Sequence, residues 1–166
     1  MKKILVVAAI LVSSLSQAQQ EIKIDIFDAL VLKTVEVSYE HYVSENSSVG
    51  ISALFNFEKQ SADFRYGEDK MITPYFRHYF TTEAKWNFFG EAFLGINSGD
   101  KEIEVINQPT IYKSYTDGAL GIAVGTKYIS DGGLIIDAYA GLGRNLFGSN
   151  SPILVPRVGL NLGYRF

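Results

Sequence analysis

His41 and His78 are the only histidines in the chain. Any acid–base or nucleophilic chemistry built on imidazole must use one of them. His41 has Ser38 and Ser44 close by in sequence. In an extended strand a neighbour three residues away points to the other face, so neither hydroxyl is placed for attack. A polar ring at a membrane interface suits both histidines better than catalysis. Asp63, Glu68 and Asp69 share one segment and could gather round a hard cation. Their spacing lacks the calcium-loop pattern, and Lys59, Arg65 and Lys70 dilute the charge, so a solvated loop is the simpler reading. Gly141-Leu142-Gly143-Arg144-Asn145-Leu146 begins like a dinucleotide fingerprint, but Leu146 fills its sixth place and no helix pattern follows. No catalytic residue, metal or cofactor is expected from these patterns.

A larger set of charged residues recurs at alternate positions. Glu36, Glu40, Arg77, Glu91, Lys127, Asp137, Arg157 and Arg165 fall on one face of alternating segments, as many acids as bases. Charges enclosed by protein are costly unless paired or hydrated. A balanced set therefore predicts an internal ion-pair network with some water. A soluble ligand carrier would be apolar inside, the reverse arrangement. Gly121 and Gly125 fall on the same polar face and make room for larger neighbours there.

The elements that would position these charges are strands. The chain ends in Arg157-Val158-Gly159-Leu160-Asn161-Leu162-Gly163-Tyr164-Arg165-Phe166, polar or tiny residues alternating with apolar or aromatic ones. Period two is the signature of a strand with two unlike faces. Alternation and turn signals predict eight strands, near residues 22–30, 35–43, 49–57, 71–81, 86–97, 117–130, 134–143 and 153–166. Links 44–48, 82–85 and 131–133 are short. Links 58–70, 98–116 and 144–152 are long, and only link 31–34 is short where a long one is expected. Short turns at one end and long loops at the other are the pattern of a transmembrane barrel. Tyr39, Phe76, Phe80, Trp86, Phe88, Tyr128, Tyr164 and Phe166 have outward parity near the short-turn end, as an interfacial girdle requires. Tyr42 and Tyr79 lie at the same height but point inward.

Met1-Lys2-Lys3, the apolar run from Ile4 to Leu15 and Ser16-Gln17-Ala18 read as a cleaved signal peptide over residues 1–18. Its apolar run is too short to span a bilayer as a helix. Residues 19–166 then form one domain. The whole chain carries a net charge of −3, and loss of Lys2 and Lys3 makes it more acidic, which argues against a nucleic-acid partner. With no cysteine, an exported domain has no disulfide framework.

Three stretches carry a family resemblance: Val37-Ser38-Tyr39-Glu40-His41, Thr73-Pro74-Tyr75-Phe76-Arg77-His78-Tyr79-Phe80, and Val158 to Phe166. With them the chain resembles small outer-membrane β-barrels of the OmpA/OmpX type, and more closely the barrel-domain proteins abundant in Bacteroidota. The resemblance covers most of residues 22–166. It implies an all-β, eight-stranded, antiparallel, up-and-down barrel in a Gram-negative outer membrane, reached through the Sec pathway. It also implies that Tyr164 and Phe166 are the signal read by the barrel-assembly machinery.

The expected role is a non-enzymatic one, structural or in surface contact. Its partners would be outer-membrane lipid and an extracellular protein met through loop 98–116. Glu102-Ile103-Glu104-Val105-Ile106 largely alternates, so that loop is expected to prolong two strands as a ribbon exposing Ile111, Tyr112 and Tyr115. Two other classes stand beside this one. A narrow channel or small-ligand binder would use the lumen charges. A lipid-modifying or proteolytic barrel enzyme would need a reactive constellation at the rim.

Overall fold

The computed structural model describes residues 19–27, 29–30, 33–57, 68–82, 84–103, 111–148 and 151–166, without the side chains of 101–103, 111 and 112. The signal peptide expected over 1–18, Lys59, Asp63 and Arg65, and Glu104 to Ile106 lie outside the described residues.

Eight strands form one closed sheet. They are β1 (Gln20–Asp25), β2 (Thr34–Ser44), β3 (Ser47–Asn56), β4 (Lys70–Tyr79), β5 (Trp86–Ile103), β6 (Ile111–Ile129), β7 (Leu134–Asn145) and β8 (Leu154–Arg165). Each pairs antiparallel with its sequence neighbours, and β8 returns to β1 in the register Glu21 to Arg165 and Asp25 to Asn161. The seam is finished by reciprocal backbone bonds, Gln20 N to Phe166 O at 3.2 Å and Phe166 N to Gln20 O at 2.9 Å. Closure leaves no unpaired edge along the tube.

Alternation sorts the two faces. On β4 every second residue is buried (Met71, Thr73, Tyr75, Arg77, Tyr79), while Ile72, Pro74, Phe76, His78 and, just past its end, Phe80 face out. The outer face is apolar round the circumference, with Ile24, Val37, Ile51, Ile72, Leu94, Ile122, Leu142 and Leu160 all exposed. A belt of that extent far exceeds the apolar patches of water-soluble monomers and is a surface for hydrocarbon. Of the aromatics expected in a girdle, Tyr39, Phe76, Phe80, Trp86, Phe88, Tyr164 and Phe166 are exposed and Tyr128 is half-buried; of the two expected to point inward, Tyr79 is buried and Tyr42 half-buried. Among the described residues no helix is long and apolar enough to cross a membrane.

Two expectations need correction and one is met. The first strand ends at Asp25, not near residue 30, because the Asp25 carboxylate accepts the Phe27 backbone N–H at 2.9 Å and turns the chain. The ribbon expected from link 98–116 is present in the described residues, where β5 and β6 stay paired as far as Ile103 and Ile111. On that ribbon Tyr115 is buried rather than exposed, since it keeps the inward parity of Asp117 and Ala119.

Gly121 and Gly125 do leave space for large neighbours, which are rings. A Cβ at Gly121 would overlap the Phe93 ring and lie 2.6 Å from the Gly143 Cα. One at Gly125 would overlap Phe89 and lie 2.8 Å from the Tyr139 Cβ.

Candidate functional site

The site is the lumen. All eight charged residues singled out above are brought into it, joined by three that the strand alternation also places inside: Glu21, Lys23 and Asp25 on β1. With these three the set is not balanced four against four but has six carboxylates to five cations among the described residues, before Asp117 and Glu68 at the long-loop end are added. The signal for the extra three was present, because Glu21, Lys23 and Asp25 alternate with Ile22, Ile24 and Ile26.

Glu40 is the hub. Its Oε1 accepts from Ser48 Oγ at 2.6 Å, Lys127 Nζ at 2.9 Å and Tyr79 OH. Its Oε2 accepts from Lys23 Nζ and from Arg77 Nη1 at 3.2 Å. Gly50 lies directly across from Glu40 on β3, and the space left by its missing side chain takes the Tyr75 ring beside the hub. Below the hub, Lys127 donates to Glu21 at 2.7 Å, and Arg165 Nε donates to Glu21 at 2.9 Å near the lower mouth. Above it, Asp137 takes Lys23 at 2.9 Å and Arg77. Arg77 Nε reaches Glu91 at 2.6 Å, Glu91 takes Arg157, and Arg157 Nη2 reaches Glu36 at 3.1 Å. One chain of ion pairs thus crosses the interior and, with Ser48, touches all eight strands.

Rings fill the remaining space. Arg77 lies over Phe89 at 4.1 Å, Lys127 over Tyr79 at 4.9 Å and Arg157 over Tyr139 at 4.9 Å, each a cation on a π face. Higher in the tube Leu54, Met71, Phe93, Ala119 and Val155 make an apolar layer with Tyr75. Chemically this arrangement offers rigidity and exclusion of solvent: every cation in it is held by a carboxylate.

The histidines sit elsewhere. His41 is half-buried on the outward parity of β2, and His78 is exposed on β4. The hydroxyl beside His78 is Ser47, its cross-strand partner, with Oγ 3.1 Å from Nδ1. Neither Ser38 nor Ser44 fills that place, and only register could reveal Ser47. Among the described residues no carboxylate orients the His78 ring, and no group of three His, Cys, Asp or Glu is gathered to hold a metal.

At the long-loop mouth, sequence reasoning missed Asp117. Its Oδ1 accepts the backbone N–H of Gly118 at 2.7 Å and of Phe147 at 2.9 Å. Its Oδ2 accepts Gly148 N–H at 2.7 Å and Ser151 Oγ. One carboxylate on β6 so fixes the path of the β7–β8 connection. Apart from the adjacent Gly118, its partners lie some thirty residues away and are mostly backbone, so no local pattern announces it. Glu68 is buried at the same end, where its carbonyl accepts from Asn56 Nδ2 at 3.1 Å. Burial pushes its carboxyl up to about 7, and the neighbouring Asp69 acts in the same direction.

Residues 3–150 match the family described as Protein of unknown function (DUF3575). The chain belongs to that family. No curated protein matches it. Among solved structures, the N-terminal β-barrel domain of Pseudomonas aeruginosa OprF is similar at 13% identity, with a TM-score of 0.63 over 90% of this chain and 96% of that one. Neisserial surface protein A is similar at 15% identity and a TM-score of 0.51 over 89% and 94%. The Yersinia pestis attachment invasion locus protein Ail is similar at 14% identity and a TM-score of 0.51 over 90% and 99%. At such identities the likeness is one of fold: this DUF3575 chain is an eight-stranded barrel of the same architecture.

Three outcomes follow for the refolded barrel in detergent. Glu40→Ala strands Lys23, Arg77 and Lys127 and should lower urea-unfolding stability by roughly 3–5 kcal/mol. Lys85→Ala, which removes an exposed 3.7 Å pair with Asp131, should change it by less than about 1 kcal/mol. The raised Glu68 carboxyl stays protonated in the folded state at pH values where it ionises in the unfolded chain. Stability should therefore fall as pH rises from 4.5 through about 7, by an amount of the order of 3 kcal/mol. Glu68→Gln should flatten that dependence, read from unfolding midpoints across the same range.

Proposed function

We propose that this protein is a non-enzymatic outer-membrane barrel that contributes to envelope structure and to surface contact. In this reading residues 1–18 are a Sec signal peptide. Tyr164 and Phe166, exposed at the end of β8, are the residues read by the barrel-assembly machinery. The observation that carries the reading is the inversion of the tube, with ion pairs filling the inside and apolar side chains covering the outside. Such an interior is a plug, and an eight-stranded tube has little room for an open pore.

The mature chain, refolded in detergent, should migrate faster unboiled than boiled and should form no stable open channel in planar bilayers. Arg157→Ala should raise single-channel conductance. Adding Phe93→Ala, which removes the ring 5.2 Å from the Arg157 guanidinium carbon, should raise it further. Unchanged conductance in the double variant rejects the plug. Identical bands from a protein soluble without detergent reject the membrane reading.

The β5–β6 ribbon favours the surface-contact part of the role. β4 leaves β5 at Lys70 and Ser98, and β7 leaves β6 at Ala119 and Asn145, while β5 and β6 continue together to Ile103 and Ile111. Among the described residues neither ribbon edge is paired with a further strand, the arrangement that strand addition uses. Deleting residues 100–114 should abolish binding to cells or matrix while preserving the heat-dependent mobility. Retained binding would place the contact elsewhere.

A further inference from the structure

We infer that the outer wall of the barrel carries a site for one anionic lipid, with an acyl chain in a groove across β6 and β7 and the phosphate on Arg144. The inference rests on the membrane reading above.

The groove has a volume of about 380 Å³ and lies on the outward face. Its floor is the backbone of Gly121 and Gly143, direct cross-strand partners whose inward parity puts no side chain on this face. Ile122, Leu142 and Leu154 form its walls. Leu120 faces Arg144 at its upper end, and Arg144 is exposed with no carboxylate partner among the described residues.

The height of Arg144 is what selects the ligand. The outward face of β7 runs Leu134, Ile136, Ala138, Ala140 and Leu142 before reaching Arg144. Ten residues at roughly 3.3 Å each, tilted by about 40°, rise about 25 Å, the height of a barrel's apolar band. Arg144 therefore stands where acyl chain gives way to headgroup. A planar guanidinium there offers paired donors to a phosphate, and an aliphatic stem that continues the groove.

A second feature shapes the same place. Asp117 holds the Phe147 N–H, and the Phe147 ring covers Gly118, where a Cβ would lie 3.1 Å from it. Gly118 and Leu120 share the outward parity of β6, so the ring sits one pleat above Leu120, at interfacial depth. The Asp117 carboxylate thus sets an aromatic beside the headgroup position, where such rings are favoured.

The test is native mass spectrometry of the refolded mature chain released from micelles holding equal dioleoyl phosphatidylglycerol and dioleoyl phosphatidylcholine. Wild type should retain the anionic lipid about fivefold over the zwitterionic one, the effect of roughly one cation at a charged lipid surface. Arg144→Gln should bring the ratio near one. Ile122→Trp, which fills the groove, should lower retention of both lipids, and Lys70→Gln, a cation elsewhere on the rim, should leave the ratio unchanged. An even ratio in wild type, a preference that survives Arg144→Gln, or displacement by millimolar inorganic phosphate would overturn the site. A heat-dependent mobility shift without lipid preference overturns this site alone and leaves the membrane reading standing.

Discussion

Closure of β1 onto β8 is the constraint on which the rest of the molecule depends. Backbone N–H and C=O groups have no partners in hydrocarbon, so a spanning sheet must end on itself. Once it does, strand pleating sends half of all strand side chains into a narrow tube and half outward. The inside must then be filled at close to solid density by side chains from eight strands. Here the filling is ionic and aromatic in the lower and middle tube and apolar above. Gly50, Gly121, Gly125 and Gly163 supply the gaps into which Tyr75, Phe93, Phe89 and Lys23 project.

The ionic filling should be judged by what it specifies rather than by net stabilisation. Desolvating a carboxylate and an ammonium is expensive, and their attraction roughly offsets that cost when the geometry is good. What the network adds is mutual dependence. Glu40 alone is held by donors from β1, β3, β4 and β6. A register slip of one residue in any of those strands would send a partner of Glu40 outward and leave a buried polar group unpaired, so the network selects one alignment of the tube.

Function follows from which side carries chemistry. The two histidines lie on the outward parity of β2 and β4, and the lumen lysines and arginines are each paired with a carboxylate. What remains available to other molecules is the surface: the apolar belt, the ribbon of β5 and β6, and the rim that Asp117 organises. Rim and ribbon are also where the strands depart most from simple alternation.

Much of this barrel was legible in the chain because strand alternation is a local code. The pleat alone assigns Glu36, Glu40, Arg77, Glu91, Lys127, Asp137, Arg157 and Arg165 to one face, and loop lengths alone separate the two ends. The same code held Glu21, Lys23 and Asp25 too, although the point where β1 turns at Asp25 is set by a side-chain bond that alternation does not express. What only the tertiary structure decided is which residues meet across strands. Glu40 as hub, Ser47 beside His78 and Asp117 gripping Phe147 and Gly148 all depend on register and closure. Those join positions tens to more than a hundred residues apart, beyond the reach of any periodicity. Sequence sets the face on which a side chain lies, because that is a property of one strand; the partner it finds there is a property of eight strands closed into a ring.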